Sequence, residues 1–167
     1  MNFVKKIIFP LEILPIQVIL SASFNFLINI ILLLVTYLII FKTVNYTIIF
    51  MPFIFIPFII LAIGVSLILS ALGVYIRDIL QITNILPTLL LFLSPIFIPE
   101  TLLPDWAKNL LMFNPLSLIV TEFRNILLWQ MLPNWLALLN YTLVSLFILL
   151  IGGFLFHRLR KGFADVL

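Results

Sequence analysis

This sequence contains very little charge and no cysteine. Charged residues make up 9% of the 167 residues, whereas a soluble domain usually carries about a quarter. Without cysteine the chain can form neither a disulfide framework nor a thiolate metal site. The single histidine, His157, has no carboxylate cluster in the sequence around it, so a metal site is not expected there. The composition therefore argues against both a soluble globular domain and a metalloprotein.

Motifs of catalysis and of nucleotide binding are also missing. The sequence has no G-x-x-x-x-G-K-[ST] loop to hold nucleotide phosphates. It shows no set of nucleophile, base and orienting residue. It also lacks the regular arginine spacing of a voltage sensor and the filter motif of a potassium channel. We expect no enzyme, no cofactor, no metal and no nucleic-acid partner.

Long apolar runs dominate the sequence instead. Hydrophobic residues make up 65% of the chain. Because a helix rises 1.5 Å per residue, about twenty apolar residues cross the hydrocarbon of a bilayer. Four runs qualify, at residues 16–41, 47–74, 79–98 and 135–156. Since backbone groups cannot stay unpaired in lipid, the predicted fold class is all-α, a polytopic membrane protein with four transmembrane helices.

The positions of lysine and arginine predict the orientation. Lys5 and Lys6 precede the first span, and Arg158, Arg160 and Lys161 follow the last. Four crossings place both ends on one side, and the basic bias makes that side cytoplasmic. The tryptophans then fall at the outer interface, where amphipathic rings prefer to lie, at Trp106, Trp129 and Trp135.

Two charges, Arg77 and Asp78, interrupt the apolar sequence between the second and third spans. The pattern predicts a tight cytoplasmic turn. Arg77 would stabilise the carboxyl end of the preceding helix, and Asp78 would cap the next one in a capping box with Gln81. This structural explanation and a contact with a cytoplasmic partner both remain open.

Residues 99–134 are predicted not to cross the membrane. They contain two short helical patterns, at residues 104–113 and 115–129, the second opened by Asn114 and Pro115. If the second pattern crossed, the basic C-terminal tail would lie outside, against the charge rule. A re-entrant hairpin in the outer leaflet is therefore predicted. Glu122 and Arg124, two residues apart, would point to different faces and not pair. A gate and a surface loop both remain open.

Two helix faces carry further patterns. Polar residues recur every four positions along the first span, at Gln17, Ser21, Asn25 and Asn29. Such a stripe is expected to face another helix, another subunit or a wet cavity. Small residues recur along the second span, at Ala62, Ser66 and Ser70, with Gly64 and Gly73 nearby. These predict a close approach by another helix.

Four ordered stretches carry a family resemblance. They are VKKIIFPLEILP at 4–15, SALGVYIRDILQI at 70–82, LSPIFIP with FNPLSLIVTEFRNILL within 93–128, and FHRLRKGFADVL at 156–167. Together they resemble the permease subunits of ATP-binding-cassette exporters of cell-surface polysaccharides, of the O-antigen, capsule and teichoic-acid type. The family usually has a cytoplasmic amphipathic helix and two spans ahead of the first stretch. The resemblance therefore implies that this chain lacks the N-terminal part.

The resemblance implies a homodimer of the permease with two ATP-binding subunits. The first stretch resembles the cytoplasmic coupling helix that docks on the ATPase, with Leu11 where the family usually has arginine. The implied coupling set, which includes the turn after the second span, is Phe9, Pro10, Glu12, Pro15, Arg77 and Asp78. The hairpin resembles the family's outer gate, which here comprises Pro95, Asn114, Pro115, Glu122 and Arg124. Catalytic, cofactor-binding and metal-binding residues are not expected.

The whole chain is predicted to be one transmembrane permease domain. It would comprise a coupling segment at 1–15, three spans within 16–98, the outer hairpin at 99–134, the last span at 135–157 and a cytoplasmic tail at 158–167. The expected function is export of lipid-linked polysaccharide across the cytoplasmic membrane, with membrane lipid around the protein and ATP hydrolysed in a separate chain. Three alternatives remain: an exporter of a drug or simple lipid, a non-transporting scaffold or remnant, and a membrane-embedded enzyme using Glu122 and Arg124.

Overall fold

The computed structural model describes residues 11–42, 45–76, 78–96, 111 and 114–163, and its regular structure is entirely helical there. This confirms the predicted all-α class over those residues. In chain order the elements are α1 (Ile13–Phe41), a 3₁₀ turn (Tyr46–Phe50), α2 (Met51–Gly73), α3 (Ile79–Phe92), α4 (Pro115–Arg124), a π-helical turn (Asn125–Trp129), α5 (Trp135–Leu159) and a second 3₁₀ turn (Arg160–Gly162).

Three helical stretches of the described part are long and apolar enough to span a membrane. They are Ile13–Ile40, Tyr46–Gly73 and Trp135–Gly162, each of 28 residues. At 1.5 Å per residue such a stretch is about 42 Å long, which exceeds the hydrocarbon thickness of about 30 Å. The first, second and fourth predicted spans are therefore confirmed as long apolar helices.

The prediction for the third span was wrong in length. We expected a helix to residue 98, but α3 ends at Phe92 after 14 residues. This is about 21 Å, short of a full crossing. The chain turns at Ser94 and Pro95, both of which are buried. Proline disfavours helical backbone in the residue before it, which explains the early end. The predicted helix at 104–113 lies outside the described residues except for Leu111.

Helices α2 and α5 lie side by side and run in the same direction. Gly64 of α2 faces Gly152 of α5, and a Cβ added to Gly64 would lie 2.7 Å from the backbone nitrogen of Leu149. Only glycine permits so close an approach. The close approach was predicted from Ala62, Ser66 and Ser70 with Gly64 nearby. The contact is made at Gly64, whereas the other three are only partly buried.

Helix α1 packs antiparallel against α2. The rings of Phe26 and Phe55 stack with centroids 4.7 Å apart, and Asn45 Nδ2 donates to the Tyr37 hydroxyl at 3.3 Å. The bundle consequently has two distinct ends. We call the end that contains Glu12 and Arg160 the basic end, and the opposite end, which contains the first 3₁₀ turn and the start of α5, the aromatic end.

The predicted polar stripe of α1 is exposed along its whole length. Gln17, Ser21, Asn25 and Asn29 are all exposed, whereas the residues of α1 that meet the bundle lie on the opposite face. Polar side chains in lipid seek hydrogen-bonding partners. The described part of the chain leaves this stripe uncovered, so that another helix, another subunit and a wet cavity all remain open as its surroundings.

Candidate functional sites at the two ends of the bundle

An ion pair connects the start of α1 with the end of α5 at the basic end. Arg160 Nη1 donates to Glu12 Oε1 at 2.5 Å, across 148 positions of sequence. The two side chains are 37% and 26% exposed, so both are partly shielded from water. A charge-assisted hydrogen bond is stronger than a neutral one, and this shielding limits its screening. Glu12 occupies the N-cap position of α1, but its side chain makes no capping bond there.

Tyr75 holds the C-terminal turn against the end of α2. Its hydroxyl donates to the Leu159 carbonyl oxygen at 2.8 Å, and its ring lies 6.0 Å from that of Phe163. Phe163 is buried and meets Phe156 edge to face at 5.6 Å. Gly162 lies so close to the Tyr75 hydroxyl that a Cβ there would collide with it. Tyr75 and Phe163 therefore fix the position of Arg160.

An apolar cluster lies beneath these polar contacts. Its buried members come from α2 and from the C-terminal part of the chain, namely Leu67, Ala71, Phe156 and Phe163, and Leu11 and Val74 pack against them. The start of α1, the end of α2 and the end of α5 are thus joined in one packed unit. In the sequence these residues were only apolar positions, and no pattern indicated that they would pack against one another.

The structure places part of the predicted coupling set in this unit. Glu12 is bound to Arg160, and Pro15 is buried in the first turn of α1. Phe9, Pro10 and Arg77 lie outside the described residues. Asp78 is exposed at the N-cap position of α3, but its side chain makes no capping hydrogen bond. The predicted capping box was therefore wrong, since Asp78 has helical backbone angles (φ −67°, ψ −17°) instead of the extended ones of a capping residue.

At the aromatic end, α4 rises from within the bundle. The hydroxyl of Tyr141 donates to the Pro115 carbonyl oxygen at 3.1 Å. Tyr141 lies six residues into α5, so α4 begins about 9 Å below the start of α5. Asn114 caps α4 as predicted, accepting from the Leu116 N–H at 2.9 Å, and its Nδ2 donates to the Leu90 carbonyl oxygen of α3 at 2.8 Å.

Glu122 connects the end of α4 to the start of α5. The residue is 3% exposed, and its Oε2 accepts from the Asn134 N–H at 3.1 Å. Asn134 in turn caps α5 by accepting from the Ala137 N–H at 3.2 Å. The first N–H groups of a helix lack intrahelical partners and carry partial positive charge, so a carboxylate there is favourable. Glu122 therefore stabilises the junction between the two helices.

Arg124 connects the other side of the hairpin to the chain that follows α3. Its Nη2 donates to the carbonyl oxygen of Pro95 at 2.7 Å and to that of Ile96 at 3.3 Å. Glu122 and Arg124 do not pair with each other, as their spacing predicted, and each binds backbone instead. All five predicted gate residues thus lie in contacts that connect α4 and its cap to α5, to α3 or to the chain after α3, and Pro115 does so by accepting the Tyr141 bond.

Two residues that the sequence analysis missed fix the π-helical turn. Thr47 Oγ1 donates to the Ile126 carbonyl oxygen at 2.6 Å, and Asn45 Nδ2 donates to that of Leu127 at 2.8 Å. Both side chains are buried. Their only sequence signal was the occurrence of two polar residues around the start of an apolar span.

A groove of about 820 Å³ lies between α2, α4 and α5. Apolar side chains such as Val65 and Ile148 line it together with Ser117, Thr121 and Asn140. The buried Ser117 hydroxyl has no hydrogen-bond partner among the described residues. A buried polar group without a partner is costly, so the groove is suited to a further helix or to a ligand with a polar group.

The helical fold defines a polytopic membrane protein that is built of apolar helices and has polar contacts at both ends of the bundle. The profile of the ABC-2 type transporter family matches residues 1–128. This chain belongs to that family. The match also agrees with the expectation of a transport subunit instead of an enzyme.

Relatives with described functions resemble the chain over nearly its full length. It is 25% identical over 166 residues to the O-antigen export system permease protein RfbA of Myxococcus xanthus, covering 98% of this chain. It is 24% identical over 168 residues to the protein of the same name from Klebsiella pneumoniae, covering 99%. In both cases the chain spans 64% of the relative's length.

Proposed function

We propose that this chain forms part of the membrane subunit of an ATP-driven exporter that moves lipid-linked polysaccharide outward across the cytoplasmic membrane. The observation that carries this proposal is the similarity to O-antigen export permeases over 98–99% of the chain. ATP would be hydrolysed in a separate subunit, because the sequence contains no loop of the kind that holds nucleotide phosphates.

In the proposed topology the basic end is cytoplasmic. Arg158, Arg160 and Lys161 lie there, and an excess of such residues favours the cytoplasmic side. The Glu12–Arg160 contact supports an even number of crossings between these residues. We propose four, the third made of α3 and the residues after it, with residues 99–134 as a re-entrant hairpin open to the outside.

Cysteine labelling can test this topology, because the chain has no native cysteine. Lys161→Cys should be labelled by a membrane-impermeant maleimide only after the cells are opened. Met131→Cys, at the aromatic end and 57% exposed, should be labelled in intact cells. Labelling of both positions from the same side would contradict the topology.

The coupling set would receive the motion of the ATP-binding subunit at the cytoplasmic end. We assign Phe9, Pro10, Glu12 and Pro15 to the docking segment and propose that the turn at Arg77 and Asp78 lies beside it. Glu12 supports the assignment because it ties this segment to the rest of the bundle. The remaining contact would be made by neighbouring side chains, since the Glu12 carboxylate is already bound to Arg160.

The outer hairpin would act as the gate. Pro95, Asn114, Pro115, Glu122 and Arg124 all contribute to it, and the depth at which α4 begins supports this role. A homodimer is proposed for the complete permease, with the exposed polar stripe of α1 and the groove beside α4 available to a second copy or to further helices of the protein.

Co-purification with the ATP-binding subunit tests the proposed function. The permease is expressed with that subunit, and the complex is placed in liposomes. The ATP turnover of the ATP-binding subunit should rise when lipid-linked O-polysaccharide is added. Stimulation by a hydrophobic drug or a simple lipid alone would favour an exporter of another substrate. Failure to retain the ATP-binding subunit would support a scaffold or remnant and contradict the proposal.

A further inference from the structure

Helix α5 is bound at each end by a side chain from a different candidate site. At the basic end, Arg160, one residue beyond α5, holds Glu12 of the coupling segment at 2.5 Å. At the aromatic end, the N–H of Asn134, one residue before α5, is held by the buried Glu122 of the outer hairpin at 3.1 Å. The same helix therefore contacts both sites directly.

Between these contacts α5 is one continuous helix. It runs for 25 residues without an internal proline, a length of about 37 Å. A sharp kink usually occurs at a proline or at a pair of glycine or serine residues. The pair at Gly152 and Gly153 is supported, because Gly152 packs against the backbone of Gly64 in α2. A displacement at one end of such a helix is carried to the other end.

The attachment at the basic end is firm enough to transmit motion. Arg160 lies in a turn that is fixed by the Tyr75 hydrogen bond to Leu159 and by the packing of Phe163. The backbone that carries Arg160 is therefore held in place relative to α5, and its guanidinium is held by Glu12. By contrast, the neighbouring Arg158 is exposed at the same end.

We propose that α5 is the element that links the coupling segment to the outer gate, and that Arg160 is the positioning residue that connects it to the coupling segment. This inference rests on the proposed function, since it presumes a partner subunit that moves the coupling segment. In this arrangement the Glu12–Arg160 pair passes that motion to α5, and the Glu122–Asn134 bond passes it to the hairpin.

The test measures a labelling rate at the outer hairpin while the Glu12–Arg160 contact at the opposite end of α5 is altered. Met131→Cys supplies a reporter in the connection before α5, where the side chain is 57% exposed. Its rate of maleimide labelling is measured in the complex with the ATP-binding subunit, with and without a non-hydrolysable ATP analogue. The measurement is repeated with Arg160→Glu, with the charge swap Glu12→Arg plus Arg160→Glu, and with Arg158→Ala as the matched control.

ATP binding should change the labelling rate in the otherwise unsubstituted protein. Arg160→Glu should reduce this change by about fivefold or more, the lower limit of typical coupling between sites, while the ATP-binding subunit still co-purifies. The charge swap should restore the change, and Arg158→Ala should leave it intact. Because the complex with the ATP-binding subunit is retained, loss of the change in labelling rate with Arg160→Glu does not reflect a failure to fold.

Three results would overturn the inference. One is a full ATP-dependent change with Arg160→Glu, and another is a lost change that the charge swap does not restore. The third is failure of the unsubstituted chain to bind the ATP-binding subunit, which overturns the proposed function as well. This third result is distinguishable because it occurs before any substitution in the Glu12–Arg160 pair is made.

Discussion

The glycine contact between α2 and α5 predicts opposite effects for two adjacent substitutions. A Cβ on Gly152 would lie 2.5 Å from the carbonyl oxygen of Gly64, whereas a Cβ on Gly153 would have no neighbour within 4 Å. Because ordinary contact distances are about 3.5 Å or more, the two helices would have to separate by about 1 Å for Gly152→Ala. Gly153→Ala requires no movement, which makes it the matched control.

The expected magnitudes follow from two effects. Replacing glycine by alanine within a helix stabilises it by about 0.5–1 kcal/mol, and this gain applies to both variants. Overpacking of a well-packed contact costs about 1–3 kcal/mol, and this cost applies only to Gly152→Ala. The difference between the two variants therefore isolates the packing cost. At about 2–4 °C per kcal/mol, Gly152→Ala should melt roughly 2–12 °C below Gly153→Ala.

The assay is the apparent melting temperature of each purified variant in the same detergent, read from the fraction that remains monodisperse after heating. Gly153→Ala should match or exceed the parent chain. Equal melting temperatures for the two variants would refute the close approach of α2 and α5, and with it the alignment of the two helices on which the basic end depends.

Further substitutions test the contacts at both ends. Glu122→Ala should lower the free energy of unfolding by about 1.5–3 kcal/mol, the range for a hydrogen bond to a charged group. It should also speed amide hydrogen exchange in the first turn of α5, and unchanged exchange there would contradict the contact. Thr47→Val should lower the free energy of unfolding by about 1–3 kcal/mol, because it leaves the buried Ile126 carbonyl without its partner. A melting temperature equal to that of the parent chain would count against this bond. Tyr75→Phe removes the hydroxyl that donates to Leu159 and should lower the free energy of unfolding by about 0.5–1.5 kcal/mol. Proteolysis of the C-terminal tail should also become faster. An unchanged rate of proteolysis would show that this bond does not hold the tail.

Local patterns predicted most of the helices correctly. Apolar runs of sufficient length gave α1, α2 and α5, and the Asn114–Pro115 pair marked the start of α4 correctly. The end of α3 was missed because a hydrophobic run continues through Ser94 and Pro95, so that hydropathy alone shows no boundary there. The predicted capping role of Asp78 was wrong because the residue adopts helical backbone angles, which its type does not reveal.

The candidate sites depend much more on distant contacts. Glu12 and Arg124 were both singled out from the sequence, but their partners, Arg160 and the carbonyl oxygens of Pro95 and Ile96, lie 148 and about 30 positions away. Gly152 became significant only through Gly64. A single sequence does not show which residues meet across such separations, because hydrogen bonds between elements leave no local periodicity.

The sequence by itself determined that this protein lies in a membrane as a set of helices, because a chain so apolar and so poor in charge cannot cover a globule with polar surface. It also determined three of the segments that are long enough to cross, although its third predicted span was too long. Only the tertiary structure decided that α2 and α5 run in the same direction and that Glu12 meets Arg160. It also showed which backbone groups Glu122 and Arg124 bind. Those choices depend on packing between helices, whose close approach is controlled by single glycines and by buried hydrogen bonds instead of by overall hydrophobicity.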